Sequence, residues 1–370
     1  MAPSPEKHKI DAAAVKASVS ILGIARKYGL QLQRKGREYS ALSPFKAERT
    51  PSFFIDDRKG LFKCFASGEG GDVIRFVQLM EACDFHTALA RLCGDAGLDD
   101  PTEREARARA YLHRRKSAEQ EAAEKAARAI RGAARIWGAA TPAAGTPVET
   151  YLRSRGIDLD ALAGLYGWRV PPSLRWHPNV SYAVGNGQFR SGPAMIGIAV
   201  RDIRGRRHLA GVHRTWLAED GSGKADIDQP KKTLGRMSGA YTQLSPICEE
   251  AVIGEGYETA LSVMAALARG GRRICGISGL FLGNICGAGL RRDGAPRGEI
   301  AIEPDPKRPG MMLPDGIRRI ILLKDADGKR PDDIDRFLRR AATKFQRAGL
   351  VVLVASPTIG DDFNDMARVA

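Results

Sequence analysis

Two acidic strand ends carry the clearest chemistry in this chain of 370 residues. Glu255 stands between two glycines directly after the apolar run 251–253, and a helical pattern follows it. Asp325 and Asp327 come just after a second apolar run, 320–323. The carboxyl ends of strands in an open α/β sheet form the edge at which such sheets bind ligands. Carboxylates there suit Mg²⁺ or Mn²⁺ together with phosphate oxygens, so the pattern predicts metal-assisted phosphoryl transfer.

A third acidic cluster near the end of the chain extends this set. Asp362 and Asp365 lie in the run 361–365, after the last apolar run, 351–355. They could reach the same sheet edge. An Asp-x-Asp after a strand is a weak signal by itself, because loop carboxylates are usually solvated or cap helices. The order of the three clusters is more specific than any one of them.

The elements that must position these carboxylates follow a strand–helix repeat from Cys248 onward. Such alternation predicts βαβ units and a parallel sheet. The predicted strands are 251–253, 273–277, 320–323 and 351–355, and the predicted helices are 258–268 and 331–348. A loop-rich insertion separates the second and third strands at 284–316.

The upstream part has a different organisation. Residues 53–55 and 61–65 have the pattern of two strands in a small N-terminal module. The stretch 102–137 is rich in Ala, Glu, Arg and Lys, a composition that predicts one long helix or two. Such a helix could equally well be a solvated linker or a contact to nucleic acid. Residues 195–217 are strand-rich. The predicted fold class is therefore α/β and α+β in several domains.

Charge and composition narrow the function classes. The chain has 58 Lys and Arg against 43 Asp and Glu, a net charge of +15, which favours a polyanionic partner such as nucleic acid. No apolar stretch approaches the ~20 residues of a membrane span, and no signal-peptide core is present. We therefore expect a cytoplasmic protein with no membrane partner. The six cysteines have no C-x-x-C spacing, which fits reduced thiols better than disulfides or zinc.

The acidic set resembles a known family. Residues 250–370 are similar to the Toprim domain that DnaG-type primases share with topoisomerases and related nucleases. The run Gly-Glu-Gly-Tyr-Glu-Thr-Ala-Leu-Ser from 254 and the terminal Asp-Asp-Phe-Asn-Asp resemble the phage- and plasmid-type primase branch. The resemblance implies that Asp325 and Asp327 hold Mg²⁺ and that Glu255 is a general base or metal partner.

Two basic segments resemble the primase catalytic core that precedes Toprim. They are Gly-Val-His-Arg-Thr-Trp-Leu from 211 and Lys-Lys-Thr-Leu-Gly from 231. The resemblance implies that Arg214, Lys231 and Lys232 bind nucleotide phosphates or the DNA backbone, which suits their charge. Ordinary surface charge is the alternative for each of them. His213 is either a site group or a packed strand histidine.

Residues 41–76 resemble the zinc ribbon found at the N-terminus of these primases. The frame is Pro-Phe at 44–45, Glu-Arg-Thr-Pro-Ser-Phe from 48, Cys-Phe at 64–65 and Gly-Glu-Gly-Gly-Asp from 68. The four positions that hold zinc ligands in the family are Ser43, Lys46, Cys64 and Ser67 in this chain.

One thiol, two hydroxyls and an ammonium cannot form a structural zinc site, which needs four Cys or His ligands. We therefore expect a zinc-ribbon-like fold without zinc, in which Lys46 is a new phosphate contact. The expected core is Phe45, Phe53, Phe62, Phe65 and Phe76.

These resemblances imply a four-part chain. The parts are a degenerate zinc-ribbon-like module at 1–98, a helical linker at 99–147, a basic primase-core subdomain at 148–247 and a Toprim domain at 248–370. The implied function is that of a DNA primase in DNA replication, which makes short primers from nucleoside triphosphates on a single-stranded DNA template by Mg²⁺-dependent nucleotidyl transfer. A separate replicative helicase is a candidate partner. A Toprim nuclease acting on DNA, or a non-catalytic DNA-binding replication accessory protein, is the alternative.

Overall fold

A computed structural model describes residues 12–96, 101–185, 187–290, 300–324 and 331–357, together with residue 363. The chain divides into two compact units, Met1–Glu124 with Arg291–Ile300, and Lys125–Leu290 with Ala301–Ala370. Within the described ranges, no helix is long and apolar enough to cross a membrane.

The first unit is built around an antiparallel meander. Helices α1 (Ala12–Ser18) and α2 (Ile21–Lys27) precede it, and helices α3 (Val73–Glu81) and α4 (Phe85–Ala96) follow it. The strands, in sheet order, are β1 (Gln33–Lys35), β2 (Glu38–Ala41), β3 (Phe53–Asp56), β4 (Leu61–Cys64) and β5 (Gly70–Asp72). Asp72 caps α3, because its carboxylate accepts from the Ile74 and Arg75 backbone N–H groups.

Phenylalanines form the centre of this unit, as predicted for four of the five. Phe45, Phe53, Phe62 and Phe76 are each at most 3% exposed, and their ring centroids lie 5.5–6.2 Å apart. The prediction for Phe65 is wrong, because that side chain is 69% exposed. Side chains along a strand alternate between faces. Phe62 and the zinc-position cysteine take the inner places, so Phe65 turns outward.

The second unit begins within helix α5 (Pro101–Ala139) and contains an antiparallel sheet. Two short helices, α6 (Pro147–Ser154) and α7 (Leu159–Tyr166), accompany it. The strands are β6 (Thr141–Pro142), β7 (Leu174–Gly185), β8 (Gln188–Ile203), β9 (Arg206–Trp216) and β10 (Lys231–Gly235), in the sheet order β10-β9-β8-β7-β6. The last turns of α5 cover one face, where Ala133 and Trp137 pack against Val212 and Trp216.

A second sheet of this unit is mainly parallel. Its elements are β11 (Thr242–Gln243), β12 (Glu250–Gly254), α8 (Tyr257–Arg269), β13 (Cys275–Ser278), α9 (Leu282–Cys286), β14 (Arg319–Leu323), α10 (Pro331–Arg347) and β15 (Val351–Ala355). The sheet order is β11-β13-β12-β14-β15, and every pair except β11–β13 is parallel. The predicted parallel sheet and the mixed α+β, multi-sheet class are confirmed. The four-part domain division stays a prediction.

Two cations of α10 hold the predicted insertion against this sheet. The Lys344 Nζ donates to the carbonyls of Ile285, Pro309 and Met311, the last two at 3.0 and 2.8 Å. Arg340 donates to the Ala301 carbonyl at 2.6 Å. Burial lowers the pKa of Lys344 to about 8, because desolvation disfavours the charged amine. The insertion is therefore anchored through its backbone.

The contrast between two phenylalanines predicts a stability difference in the first unit. Phe53→Ala removes a fully buried ring and should lower the local free energy of unfolding by about 3–5 kcal/mol. The exposed control, Phe65→Ala, should change it by about 0.5 kcal/mol or less. Native-state hydrogen exchange of the β3 and β4 amides measures both. Equal effects would contradict the inward and outward assignment of the two rings.

Candidate functional site

The end of β12 lies at the carboxyl edge of the parallel sheet. Ile253 pairs with Ile277 of β13 and with Leu322 of β14, so the residues that follow β12 and β14 leave the sheet at the same edge. The backbone carbonyl of Glu255 accepts a hydrogen bond from Ser278 Oγ at 2.8 Å, which fixes the turn there. Glu255 therefore lies at the edge where it was predicted, and its catalytic role stays a prediction.

The end of β14 leads into the predicted Asp-x-Asp pair. The Lys324 backbone N–H donates to the Ala355 carbonyl at 2.9 Å, and its Nζ lies 2.6 Å from Asp335 Oδ1 on α10. The residues that follow fall outside the described part of the chain, namely Asp325, Asp327, Asp362 and Asp365. Among the residues that are described, no three His, Cys, Asp or Glu side chains are grouped to hold a metal ion. The magnesium site stays a prediction.

A buried carboxylate that the sequence analysis did not single out lies three residues after Glu255. Glu258, in the first turn of α8, is only 5% exposed. Its Oε1 accepts hydrogen bonds from the Tyr151 hydroxyl at 2.7 Å and from Lys231 Nζ at 3.0 Å. Burial raises the pKa of a carboxyl group, but the Lys231 charge and the Tyr151 hydroxyl outweigh it and hold the pKa of Glu258 at about 2. Glu258 is therefore ionised at neutral pH.

Local sequence carries little signal for this interaction. An acidic residue in the first turn of a helix is usually solvated and interacts with the helix dipole. The partners of Glu258 lie 107 and 27 positions away in the chain, so only the tertiary structure brings the three groups together.

His213 packs beside this ion pair. Its ring meets the Tyr257 ring edge-on, with centroids 5.3 Å apart. Its Nδ1 is buried and has no hydrogen-bond partner within the described part of the chain. Burial, together with the nearby Lys231 charge, lowers the pKa of His213 from its ordinary 6.5 to about 4. The histidine is therefore neutral at neutral pH, which favours the packed strand histidine of the two alternatives.

The predicted basic residues of β9 and β10 lie on two different faces of their sheet. Lys231 faces α8, whereas Lys232 lies directly opposite Arg214 on the other face, because neighbouring strand residues point in opposite directions. Arg214 lies over the Trp216 ring at 5.1 Å and donates to the Thr233 carbonyl at 3.1 Å. Burial lowers the pKa of Arg214. The three predicted phosphate contacts are therefore not brought to one place.

A hydrogen-bond network occupies the predicted zinc-ligand positions of the first unit. The Cys64 thiol donates to Ser43 Oγ at 3.1 Å, and the Lys46 backbone N–H donates to the same hydroxyl at 3.1 Å. Ser67 Oγ accepts the Glu69 backbone N–H at 3.3 Å. Of the four positions, the structure joins Ser43 and Cys64 by their side chains.

Glu48 completes this network, and the sequence analysis did not assign it a role. Its Oε1 accepts the backbone N–H groups of Ser43 at 2.7 Å and Ser52 at 3.0 Å. Its Oε2 accepts the Ser52 hydroxyl at 2.6 Å. The Ser52 hydroxyl in turn lies 3.8 Å from the Cys64 sulfur. One carboxylate therefore orders the loop between β2 and β3.

The outer face of the first sheet combines aromatic and basic side chains. Phe65 lies edge-on to Phe54 with centroids 5.6 Å apart. Lys63 is directly opposite Phe54 across the β3–β4 pair, and Lys35 Nζ lies 6.0 Å from the Phe54 ring centroid. Phe65 is exposed and Phe54 is partly buried. An exposed ring next to cations suits single-stranded nucleic acids, which bind through base stacking and phosphate contacts.

Comparison with known proteins finds one family match in each unit. Residues 7–108 match the family described as CHC2 zinc finger, and residues 127–244 match a family described only as a domain of unknown function. DNA primases are similar over 23% of this chain. The protein from Borreliella burgdorferi is 41% identical over 86 residues, that from Thermotoga maritima 41% over 85, and that from Geobacillus stearothermophilus 40% over 86. These matches span 16%, 15% and 14% of the relatives' own lengths.

The N-terminal part of the chain is therefore similar to the CHC2 zinc-finger module of DnaG-type primases, which confirms the resemblance inferred from residues 41–76. A solved structure of the zinc-binding and RNA polymerase domains of the Aquifex aeolicus primase is also similar. It covers 97% of this chain and 82% of its own, at 17% identity and a TM-score of 0.37, which is too low to establish a shared fold.

The depressed pKa of His213 predicts acid sensitivity of the second unit. A group whose pKa falls from 6.5 to about 4 on folding takes up a proton first in the unfolded chain. The free energy of unfolding should therefore fall as the pH drops from about 6.5 to about 4, by about 3 kcal/mol from this residue. Glu258 adds its own loss only at the acidic end of this window and below it, because its pKa is about 2 in the fold and the ordinary 4.5 in the unfolded chain.

Urea unfolding at pH 7 and pH 4.5 measures this loss by tryptophan fluorescence, since all four tryptophans lie in the second unit. The variant His213→Asn cannot titrate and should lose less stability at the lower pH than the wild type. The same loss in both proteins would show that another group is responsible.

Proposed function

We propose that this chain is a DNA primase-like protein that makes short primers from nucleoside triphosphates on single-stranded DNA in the cytoplasm. The observation that carries the proposal is the common exit, at one sheet edge, of Glu255 and of the segment that leads to Asp325. The N-terminal quarter of the chain is 41% identical in sequence to two DNA primases, which supports the same function. We also propose that a separate replicative helicase is a partner of this chain. We further propose that the chain belongs to the phage- and plasmid-type branch of primases.

The proposed domain division follows the resemblances. A zinc-ribbon-like module covers 1–98, a helical linker 99–147, a basic core 148–247 and a Toprim domain 248–370. The parallel order of β12, β13, β14 and β15 supports the last of these, because a Toprim-like site needs its carboxylates at the ends of neighbouring parallel strands.

The donor chemistry at the sheet edge fits Mg²⁺ or Mn²⁺. Glu255 supplies one carboxylate beside β14, and Asp325 and Asp327 follow the end of β14 within four positions. All are hard oxygen ligands, which these ions prefer. A bound metal would activate the attacking hydroxyl and stabilise the leaving phosphate oxygen. Asp362 and Asp365 are further candidate ligands.

Basic groups of both units are the proposed contacts for the nucleic acid and the nucleotide. Lys231 faces α8 next to Glu258, which suits a contact to the incoming triphosphate. Lys232 and Arg214 lie on the opposite face, which suits the template backbone better. In the first unit, Lys46 adds a charge at a former ligand position, and the outer face with Phe54 and Phe65 provides rings for base stacking.

We also propose that the zinc-ribbon-like module folds without zinc, although its family is described as a zinc finger. The Cys64 thiol donates to the Ser43 hydroxyl instead of meeting other soft ligands. Hydroxyls and an ammonium are not zinc ligands in structural sites. The phenylalanine core and the Glu48 network provide the links between loops that a metal would otherwise provide.

Primer synthesis is the direct test of the enzyme. The wild type, incubated with single-stranded DNA, labelled nucleotides and Mg²⁺ or Mn²⁺, should yield labelled oligonucleotides. Asp325→Ala should lower the yield by about 100-fold or more, because a metal-binding carboxylate contributes several kcal/mol to phosphoryl transfer. Gel electrophoresis of the products measures it.

The matched control is Asp160→Asn, which removes an exposed carboxylate that pairs with Arg153 on the α6–α7 surface. It should leave the yield unchanged. Cut DNA in place of oligonucleotides would identify a nuclease. The absence of both products would identify a DNA-binding accessory protein. Each of these outcomes contradicts the proposed primase activity.

Metal analysis tests the zinc-free module. Inductively coupled plasma mass spectrometry of the purified chain should find no stoichiometric zinc. The triple variant Ser43→Cys, Lys46→His, Ser67→Cys restores four soft ligands and should bind about one zinc per chain. Stoichiometric zinc in the wild type would overturn the proposal.

A further inference from the structure

A single carboxylate connects the basic strand β10 to the turn that carries Glu255. Oxygen Oε1 of Glu258 accepts both the Tyr151 hydroxyl and Lys231 Nζ. Oxygen Oε2 lies against Gly256, where a Cβ atom would be only 3.1 Å from it. Glycine at position 256 therefore allows the carboxylate to approach the turn directly after Glu255. The Lys231 ammonium is held, through this one group, beside the strand end where the candidate site begins.

We propose that Glu258 and Tyr151 are positioning residues that hold the Lys231 ammonium in place. The ammonium then binds the phosphate groups of a nucleoside triphosphate at the carboxyl edge of the parallel sheet, where β12 ends. This inference rests on the proposed function, because it takes that edge as the nucleotide site. It adds a pair of residues that do not touch the nucleotide and act through Lys231.

The energetics of the ion pair favour a positioning role over a purely stabilising one. Taking a carboxylate out of water is costly, and well-packed apolar side chains often stabilise a fold as much as a buried ion pair does. Glu258 is almost fully buried, whereas 37% of the Lys231 side chain remains exposed. An ammonium has three donors, so Lys231 can remain bound to Glu258 and still reach an anionic ligand from the solvent side.

The surroundings suit a single cation at this point. The neighbouring His213 is neutral at neutral pH, so it does not repel Lys231. Lys232 and Arg214 point to the opposite face of the sheet. Of the three basic residues first assigned to phosphate binding in this segment, Lys231 is therefore the one that faces α8 and the candidate site.

Nucleotide affinity in a double-mutant cycle tests the inference. Isothermal titration calorimetry of ATP with the full chain should give about tenfold weaker binding for Glu258→Gln and for Lys231→Met. The double variant should bind no more weakly than Lys231→Met alone, because Glu258 acts only through Lys231. Tyr151→Phe keeps the ion pair, removes one hydroxyl and should weaken binding to a smaller extent, so it serves if Glu258→Gln does not fold.

The control is Glu250→Gln, which removes the carboxylate paired with Arg272 at the other end of β12. It should bind ATP like the wild type. Unchanged or tighter binding by Glu258→Gln would overturn the inference, because the carboxylate would then only neutralise the ammonium. Additive losses in the double variant would overturn it too, since Glu258 would then act without Lys231.

A second readout separates this inference from the proposed function. Acylation of Lys231 by an amine-reactive ester, followed by mass spectrometry without nucleotide, should be several-fold faster in Glu258→Gln and Tyr151→Phe than in the wild type. Unaltered acylation would show that the two residues do not hold Lys231. Faster acylation in the two variants, together with no ATP binding by the wild type, would leave the positioning contact intact and refute the nucleotide site.

Discussion

The second unit depends on one buried ion pair. Glu258 of α8, Lys231 of β10 and Tyr151 of α6 meet at a single carboxylate oxygen, which ties the antiparallel sheet to the helix that follows Glu255. Loss of Lys231 would leave the Glu258 carboxylate as an uncompensated buried charge, which costs about 3–5 kcal/mol in a fully buried pair and less here, because 37% of the Lys231 side chain is exposed. The main effect of the ion pair is therefore to fix the positions of α6, α8 and β10 relative to one another. Its contribution to the net free energy of folding is smaller, because the burial of the carboxylate is itself costly.

The centre of the first unit is held together by the phenylalanine cluster and not by an ion pair. Structural zinc contributes about 10–16 kcal/mol to the folding of small zinc-finger peptides, so the zinc-free module that we propose would need other contacts. Here helices α1 to α4 add apolar side chains to the phenylalanine cluster, among them Val15, Ile24, Val77, Leu89 and Leu92. Glu48 orders the loop between β2 and β3 by accepting three hydrogen bonds from Ser43 and Ser52.

Much of the fold was predictable from local patterns. The apolar runs 251–253 and 320–323 became the largely buried strands β12 and β14, since strands covered on both faces are continuously apolar. The run 351–355 became β15 at the end of the sheet order, where Val351, Leu353 and Val354 are about half exposed. The error at Phe65 has a simple cause. Its residue type suggested the core, but strand alternation assigned the inner positions to Phe62 and Cys64 and turned Phe65 toward solvent.

The sequence by itself determined that Glu255 directly follows a strand and precedes a helix, since the apolar run, the flanking glycines and the helical pattern are all local. Only the tertiary structure decided which side chains surround that strand end. Glu258 looks like an ordinary first-turn acid, and its burial follows from Tyr151 and Lys231, which are distant in the chain. Pairing of β10 with β9 likewise decided that Lys232 lies opposite Arg214 and that Lys231 is the lysine that faces α8. Contacts at such separations leave no periodicity in the sequence, because they depend on how whole elements pack.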